Sequence, residues 1–305
     1  MIKAAIIINP KSGKGSGAKF IERLKTSKIP DGANLTVYIT EYPKHAISIV
    51  QNISDEFDRI IIAGGDGTLN EFLNGFDVNY NTMIGLLPIG SGNDFALALY
   101  KNEVDIDKYL ISFLSDNPEV VNTDFGEVKL TESDGNVIEK RFINSLGIGF
   151  DARVAYLNQT NKILSGSLSY LVSILRTFVK FNSINFNITI NDKELIRNAL
   201  FCSIGNGESV GAGLYLMPGA KINDGLLDIS IVSLKSRIKL LKLLPKAMNN
   251  SIKGIPELEQ LRFKELEIEL ETPYYSHVDG EIVSDKSKRL EISISKKSLS
   301  FMIPE

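Results

Sequence analysis

Residues 59–71 read RIIIAGGDGTLNE: an apolar run through Ala63, a glycine-rich turn holding one acid, Asp66, and a helical pattern from Thr68 onward. An unbroken β-branched run such as Ile60–Ile62 suits a strand buried on both faces, the habit of parallel sheets covered by helices. The same grammar repeats on either side. KAAIIIN (3–9) leads into a Gly/Ser/Lys loop and AKFIERLK, LTVYIT (35–40) into HAISIVQN, and MIGLLPI (83–89) into GSGNDFALALY. Strands alternating with short helices predict a Rossmann-like α/β domain, whose ligands bind beyond the carboxyl ends of its strands.

Past Val120 the pattern changes. NTDFGEVKLT, KRFINSLGIGF, NFNITIN, KELIRNALFCSIGN, LLDISIVS, LEIELE and LEISIS read as strands joined by turns, with two helical stretches among them. They predict a second, antiparallel β-sandwich domain. The final SLSFMIP is expected to return to the first. The expected domains are 1–122 with the tail 296–305, and 123–295.

Bulk properties exclude several classes. The chain has 305 residues, 43% hydrophobic and 23% charged, with a net charge of −3, so no basic field draws it to nucleic acid. One cysteine and two histidines rule out an intrachain disulfide framework and the common zinc patterns. No apolar run is long enough to span a bilayer, so a cytoplasmic protein is expected, with peripheral membrane contact and a homodimer left open.

The chain contains five Asp-Gly pairs, and a turn explains Asp134-Gly135 fully. Asp66-Gly67 differs because it follows a buried strand and opens a helix, where free N–H groups attract anions. A carboxylate there would repel a bare phosphate. It suits a phosphate accompanied by Mg²⁺, or the orientation of a reacting hydroxyl. NPKSGKGSG (9–17) and PIGSGNDFA (88–96) are two more glycine loops at the same sheet edge. The spacing G-x-x-x-x-G-K-[ST] is absent from the first, which excludes a P-loop.

NPKSGKG, GGDGTLNE and PIGSGNDFA, in this order, resemble the catalytic domain of diacylglycerol kinases and related lipid kinases, including sphingosine and ceramide kinases. GNGESVGAGLYLMPGAKINDGLLDI (205–229) and HVDGE (277–281) resemble later segments of that family. The resemblance implies an NAD kinase- or phosphofructokinase-like first domain and ATP-dependent phosphorylation of a lipid, most simply diacylglycerol, presented at a membrane. It implies an ATP site at Asn9, Pro10, Lys11, Ser12 and Gly13, at Gly65, Asp66, Gly67, Thr68, Leu69, Asn70 and Glu71, and at Ser91, with Thr40 matched more loosely. Asp66 would organise the Mg-ATP phosphates, with Asn93 and Asp94 in its network, and Glu281 would be the general base. Asp224, with carbonyls at Lys221 and Leu226, matches a structural Mg²⁺ site of some bacterial members.

Two other readings stay open: a kinase for a soluble hydroxyl such as that of NAD, and a non-catalytic nucleotide- or lipid-binding regulator. LKSRIKLLKLLPKAMNN (234–250) reads as a core helix with a cationic face or as a basic helix on anionic lipid. GSLSYLVSILRTFVKF (166–181) suits core packing or an acyl-chain wall equally well. His277 reads as a structural neighbour of the acidic motif, and Cys202 as a buried hydrophobe.

Overall fold

The computed structural model describes residues 1–100, 104–160, 177, 182–210, 213–233 and 237–304. The stretch 166–181 lies outside the described residues apart from Thr177, as do Lys235 and the side chains of 237–242 in the basic segment. The chain divides into two compact units, Met1–Asp124 with Lys296–Glu305, and Phe125–Ser295.

Unit 1 alternates β1 (Ile2–Ile8), α1 (Ser16–Leu24), β2 (Ala33–Ile39), α2 (His45–Ile53), β3 (Arg59–Gly64), α3 (Asp66–Gly75), β4 (Met83–Pro88) and α4 (Asp94–Tyr100). Helix α5 (Ile106–Phe113) and strand β5 (Glu119–Thr123) follow, and β18 (Leu299–Ile303) joins from the far end of the chain. The sheet order is β2-β1-β3-β4-β18-β5, all parallel except β5. Every residue of β3 is buried, as are Ala4–Ile8 of β1, because helices cover both faces. Arg59 is the buried exception: its guanidinium donates to the carbonyls of Phe113 and Ser115 at 2.7 and 2.6 Å, satisfying the otherwise free end of α5.

Unit 2 contains β6 (Gly126–Glu132), β7 (Val137–Phe142), β8 (Ser145–Gly149), α6 (Phe150–Thr160), β9 (Ile184–Ile190), β10 (Lys193–Ala199) and β11 (Phe201–Gly205). After the short pair β12 (Ser209–Val210) and β13 (Leu214–Tyr215) come β14 (Leu227–Val232), α7 (Arg237–Met248), β15 (Leu258–Phe263), β16 (Glu265–Val278) and β17 (Glu281–Ile294). The path runs β15-β14-β11-β8-β16-β17-β6-β7, entirely antiparallel. The long strand β16 is shared: Leu266–Leu270 pair with β9, while Ser276–Val278 pair with β8. Register shifts between these halves let one strand serve both layers of the sandwich around an Ile/Leu/Phe core. Cys202 is buried in that core.

Candidate active site

In unit 1 the strand order reverses between β1 and β3, so the loops after β1, β3 and β4 open at one sheet edge. Glycines let these loops touch through their backbones. A Cβ on Gly65 would stand 2.9 Å from the Cα of Gly90, and one on Gly13 would overlap the Ile89 carbonyl oxygen. Within the turn Ser12–Gly15, Gly13, Lys14 and Gly15 all have positive φ, at 57°, 56° and 97°. For Lys14 that conformation costs roughly 1 kcal/mol. Turns of this kind form anion-binding concavities, and Lys11 and Lys14 are exposed beside this one.

Side chains tie the loops together. Asn9 Nδ2 donates to Thr68 Oγ1 at 3.1 Å, and Asn9 Oδ1 accepts from the Lys11 N–H at 3.0 Å. The Pro10 carbonyl accepts from Ala18 N–H at 3.1 Å, holding the loop to α1. Asn93, at φ 58°, accepts from Gly90 N–H at 3.0 Å and donates to the carbonyls of Pro88 and Gly90. Ser91 is exposed on the same loop.

Asp66 opens α3 and accepts from the Phe95 N–H at 3.3 Å, joining the starts of α3 and α4. Burial pushes its carboxyl above the usual range, and the N–H groups of Phe95, Asp94 and Asn93 pull it back. A Cβ on Gly92 would stand 2.9 Å from Asp66 Oδ2 and 3.5 Å from Asp94 Oδ2, so both carboxylates face one point. Two hard anionic oxygens facing one point are the donor type that a magnesium ion takes.

Other implied contacts serve the scaffold. Glu71 accepts from the N–H groups of Lys44 and Ala46 at 2.8 and 3.2 Å, capping α2 with a charge that complements its dipole. Leu69 is buried in the core, and Asn70, also buried, accepts from Asn74 Nδ2. Gly67 lies in the first turn of α3. Thr40, buried just beyond β2, donates its N–H to the Ile8 carbonyl at 2.9 Å. Its strand lies on the opposite side of β1 from β3.

In unit 2 the segments INS (143–145), GNG (205–207) and HVDGE interlock. The Asp279 carboxylate accepts three backbone N–H bonds, from Ile143, Asn144 and Ser145, at 3.1, 2.9 and 2.8 Å. Asn206 Nδ2 donates to the Ile143 carbonyl at 3.0 Å, and Asn144 Nδ2 to that of Ser209 at 3.1 Å. Asp279 and Gly280 turn the β16–β17 hairpin with φ 47° and 82°, the left-handed pair that a two-residue turn requires. Glu281 begins β17 directly after this turn, opposite Val278, and is half-buried.

A second feature of unit 2 was not singled out by its sequence. An apolar cleft of about 70 Å³, partly open to solvent, is lined by residues including Phe201, Leu214, Leu244 and Ala247. Among the described residues its one charged lining residue is Asp151. Asp151 Oδ1 accepts from the Ala152 N–H at 2.8 Å, while Oδ2 is buried without a hydrogen-bond partner among the described residues. His277 Nε2 lies 3.6 Å from that oxygen, and Gly147 leaves room for the pair because any Cβ there would strike both. Nothing local marks Asp151 except its position directly after a wholly buried strand and Phe150.

The implied metal residues fit a cation poorly. Asp224 Oδ2 is taken by the guanidinium of Arg262, so positive charge already occupies its open side.

Known families match both units of the chain. The diacylglycerol kinase catalytic domain family matches residues 3–126, and the YegS C-terminal NAD kinase beta sandwich-like domain matches 144–298, just over half of the chain. A diacylglycerol kinase of Mycobacterium tuberculosis is 26% identical over 278 residues, spanning 88% of this chain and 85% of the relative. A "Probable lipid kinase YegS-like" of Alcanivorax borkumensis is 27% identical, spanning 90% and 88%. A diacylglycerol kinase crystal structure from Bacillus anthracis superposes with a TM-score of 0.69 at 20% identity, covering 99% of this chain and 96% of that one, a likeness of fold.

Proposed function

We propose a lipid hydroxyl as the phosphate acceptor, on the premise that this chain belongs to the lipid kinase family defined by the diacylglycerol kinase catalytic domain and the YegS-type sandwich domain. The reaction is transfer of the γ-phosphoryl group of ATP, and diacylglycerol, which would give phosphatidic acid, is the acceptor we favour. The observation that carries the lipid reading is the apolar cleft of unit 2, whose described lining offers one carboxylate among hydrocarbon side chains. A soluble acceptor such as NAD has no use for such a surface.

The residues divide the work. The Ser12–Gly15 turn, Lys11, Lys14 and the N-terminus of α3 hold the phosphates of ATP. Asp66 and Asp94 would hold the magnesium that accompanies them, which would neutralise charge on the phosphates. Glu281 accepts the proton of the lipid hydroxyl as its oxygen bonds to the γ-phosphorus and the bond to the departing ADP oxygen breaks. A carboxylate is a weak base for an alcohol, but in a loose transition state the proton can leave late. Positioning and charge neutralisation supply most of the acceleration, which explains why so much of unit 1 is given to holding loops in register.

Access to the lipid requires a membrane surface, and we assign that contact to the segment around α7, without a spanning helix: among the described residues no helix is long and apolar enough to cross a membrane. The test is to incubate the protein with ATP, Mg²⁺ and vesicles containing diacylglycerol, a sphingoid base or a prenyl alcohol, and identify the product by mass. A phosphorylated lipid supports the reading. Phosphorylation of NAD alone would establish the soluble-substrate reading instead.

A further inference from the structure

We infer that Arg262 and Gln260 of β15 do in this chain the structural work that the family resemblance assigns to a metal at Asp224. In the β14–β15 pair Asp228 stands opposite Arg262 and Ser230 opposite Gln260, so these four alternate residues share one face of the ladder. Arg262, Gln260 and Ser230 reach the same stretch of chain, and Asp228 ties Arg262 to Gln260. The Arg262 guanidinium binds Asp224 Oδ2, and its Nε lies 3.6 Å from Asp228 Oδ2. Gln260 Nε2 donates to Asp228 Oδ1 at 2.8 Å and to the Pro218 carbonyl at 3.3 Å. Ser230 Oγ donates to the Leu216 carbonyl at 2.6 Å.

A structural cation in such a loop would do two things: neutralise buried acid and gather backbone carbonyls from a turn. Arg262 does the first for Asp224 and for Asp228, whose side chain is 3% exposed. Gln260 and Ser230 do the second for Pro218 and Leu216. The Gly219 N–H, donating to Glu208 Oε1 at 2.6 Å, fixes the turn from its other side. Of the side-chain oxygens, what remains for a metal is Asp224 Oδ1, buried without a hydrogen-bond partner among the described residues. One carboxylate oxygen beside a guanidinium is a poor start for a coordination shell of about six oxygens. The ladder therefore carries a protein-made staple, and the 216–228 segment should hold its shape without divalent ions.

The inference is independent of which substrate the protein phosphorylates, and thermal unfolding of the full chain without nucleotide tests it. The wild-type midpoint should gain nothing from Mg²⁺ or Ca²⁺ over EDTA that Asp224→Asn does not gain as well. Arg262→Met should lower it by about 5 °C, since two carboxylates lose their counter-charge while the stem of the side chain is kept. A midpoint that rises with Mg²⁺ or Ca²⁺ in the wild type, and no longer rises in Asp224→Asn, overturns the inference. A rise that Asp224→Asn retains belongs to another site and agrees with it. If Arg262→Met proves insoluble, the wild-type and Asp224→Asn comparison still decides the matter. An Arg262→Met midpoint equal to the wild type would also count against the staple.

Discussion

Gly65 and Gly90 meet backbone to backbone: a Cβ on Gly65 would lie 2.9 Å from the Cα of its partner, and one on Gly90 would come closer still. The contact joins the loops after β3 and β4, and neither residue owes its glycine to a positive φ, so space alone excludes a side chain. Gly90→Ala should therefore separate the loops, cost about 1–3 kcal/mol in urea unfolding and remove most kinase activity. Gly15→Ala is the contrast. Nothing lies within 4 Å of a Cβ there, so it should show only the smaller cost of its φ of 97°.

Asp66 predicts a trade of stability for function. Burial raises its carboxyl above the ordinary 3.8, which means the folded state disfavours the anion that the reaction uses. Any stabilisation from the protonated form is complete below that ordinary value and is lost as pH rises through the raised one. The midpoint of Asp66→Asn should thus gain on the wild type as pH rises above the ordinary 3.8, while its activity collapses. Parallel midpoints at all pH values would remove this reading of the site.

Asp279 is expected to position Glu281 without touching substrate. Asp279→Ala leaves three backbone N–H groups without their acceptor, at a cost of about 2–4 kcal/mol. At temperatures where the variant remains folded, kcat should fall while the KM for ATP stays put, because the phosphate loops belong to the other unit. An unchanged kcat would show that the hairpin does not position the base.

Ala247 lines the apolar cleft and is buried. Filling the space with Ala247→Phe should raise the KM for long-chain lipids by about tenfold and spare a short-chain acceptor. Equal effects on both chain lengths would mean that the cleft does not receive the acyl chain.

Much of the fold was legible because burial on both faces leaves an unmistakable signature in Ile6–Ile8 and Ile60–Ile62. The sandwich was legible as a set of strands, though not in its connections. LEIELE and HVDGE read as separate pieces across Thr272-Pro273, yet β16 runs from the first into His277 and Val278 of the second as one strand of 14 residues. Irregular pairing between Glu269 and Tyr274 accommodates the proline, something no local pattern announces. The glycine loops could be read as a convergent set because parallel strands bring their carboxyl ends to one edge. The duty of Glu71 could not, since its partners Lys44 and Ala46 lie more than twenty residues away on another helix. Asp151 was missed for the same reason: its significance comes from an apolar cleft and from His277, both assembled only by folding.

The central claim is that phosphate goes from ATP to a lipid hydroxyl, and the partition of label tests it most directly. With ATP carrying radioactive γ-phosphate and a mixture of diacylglycerol vesicles and NAD, the label should move into chloroform, and both Asp66→Ala and Glu281→Gln should abolish that transfer. Label confined to an aqueous product, or lipid labelling that survives Asp66→Ala undiminished, would contradict it.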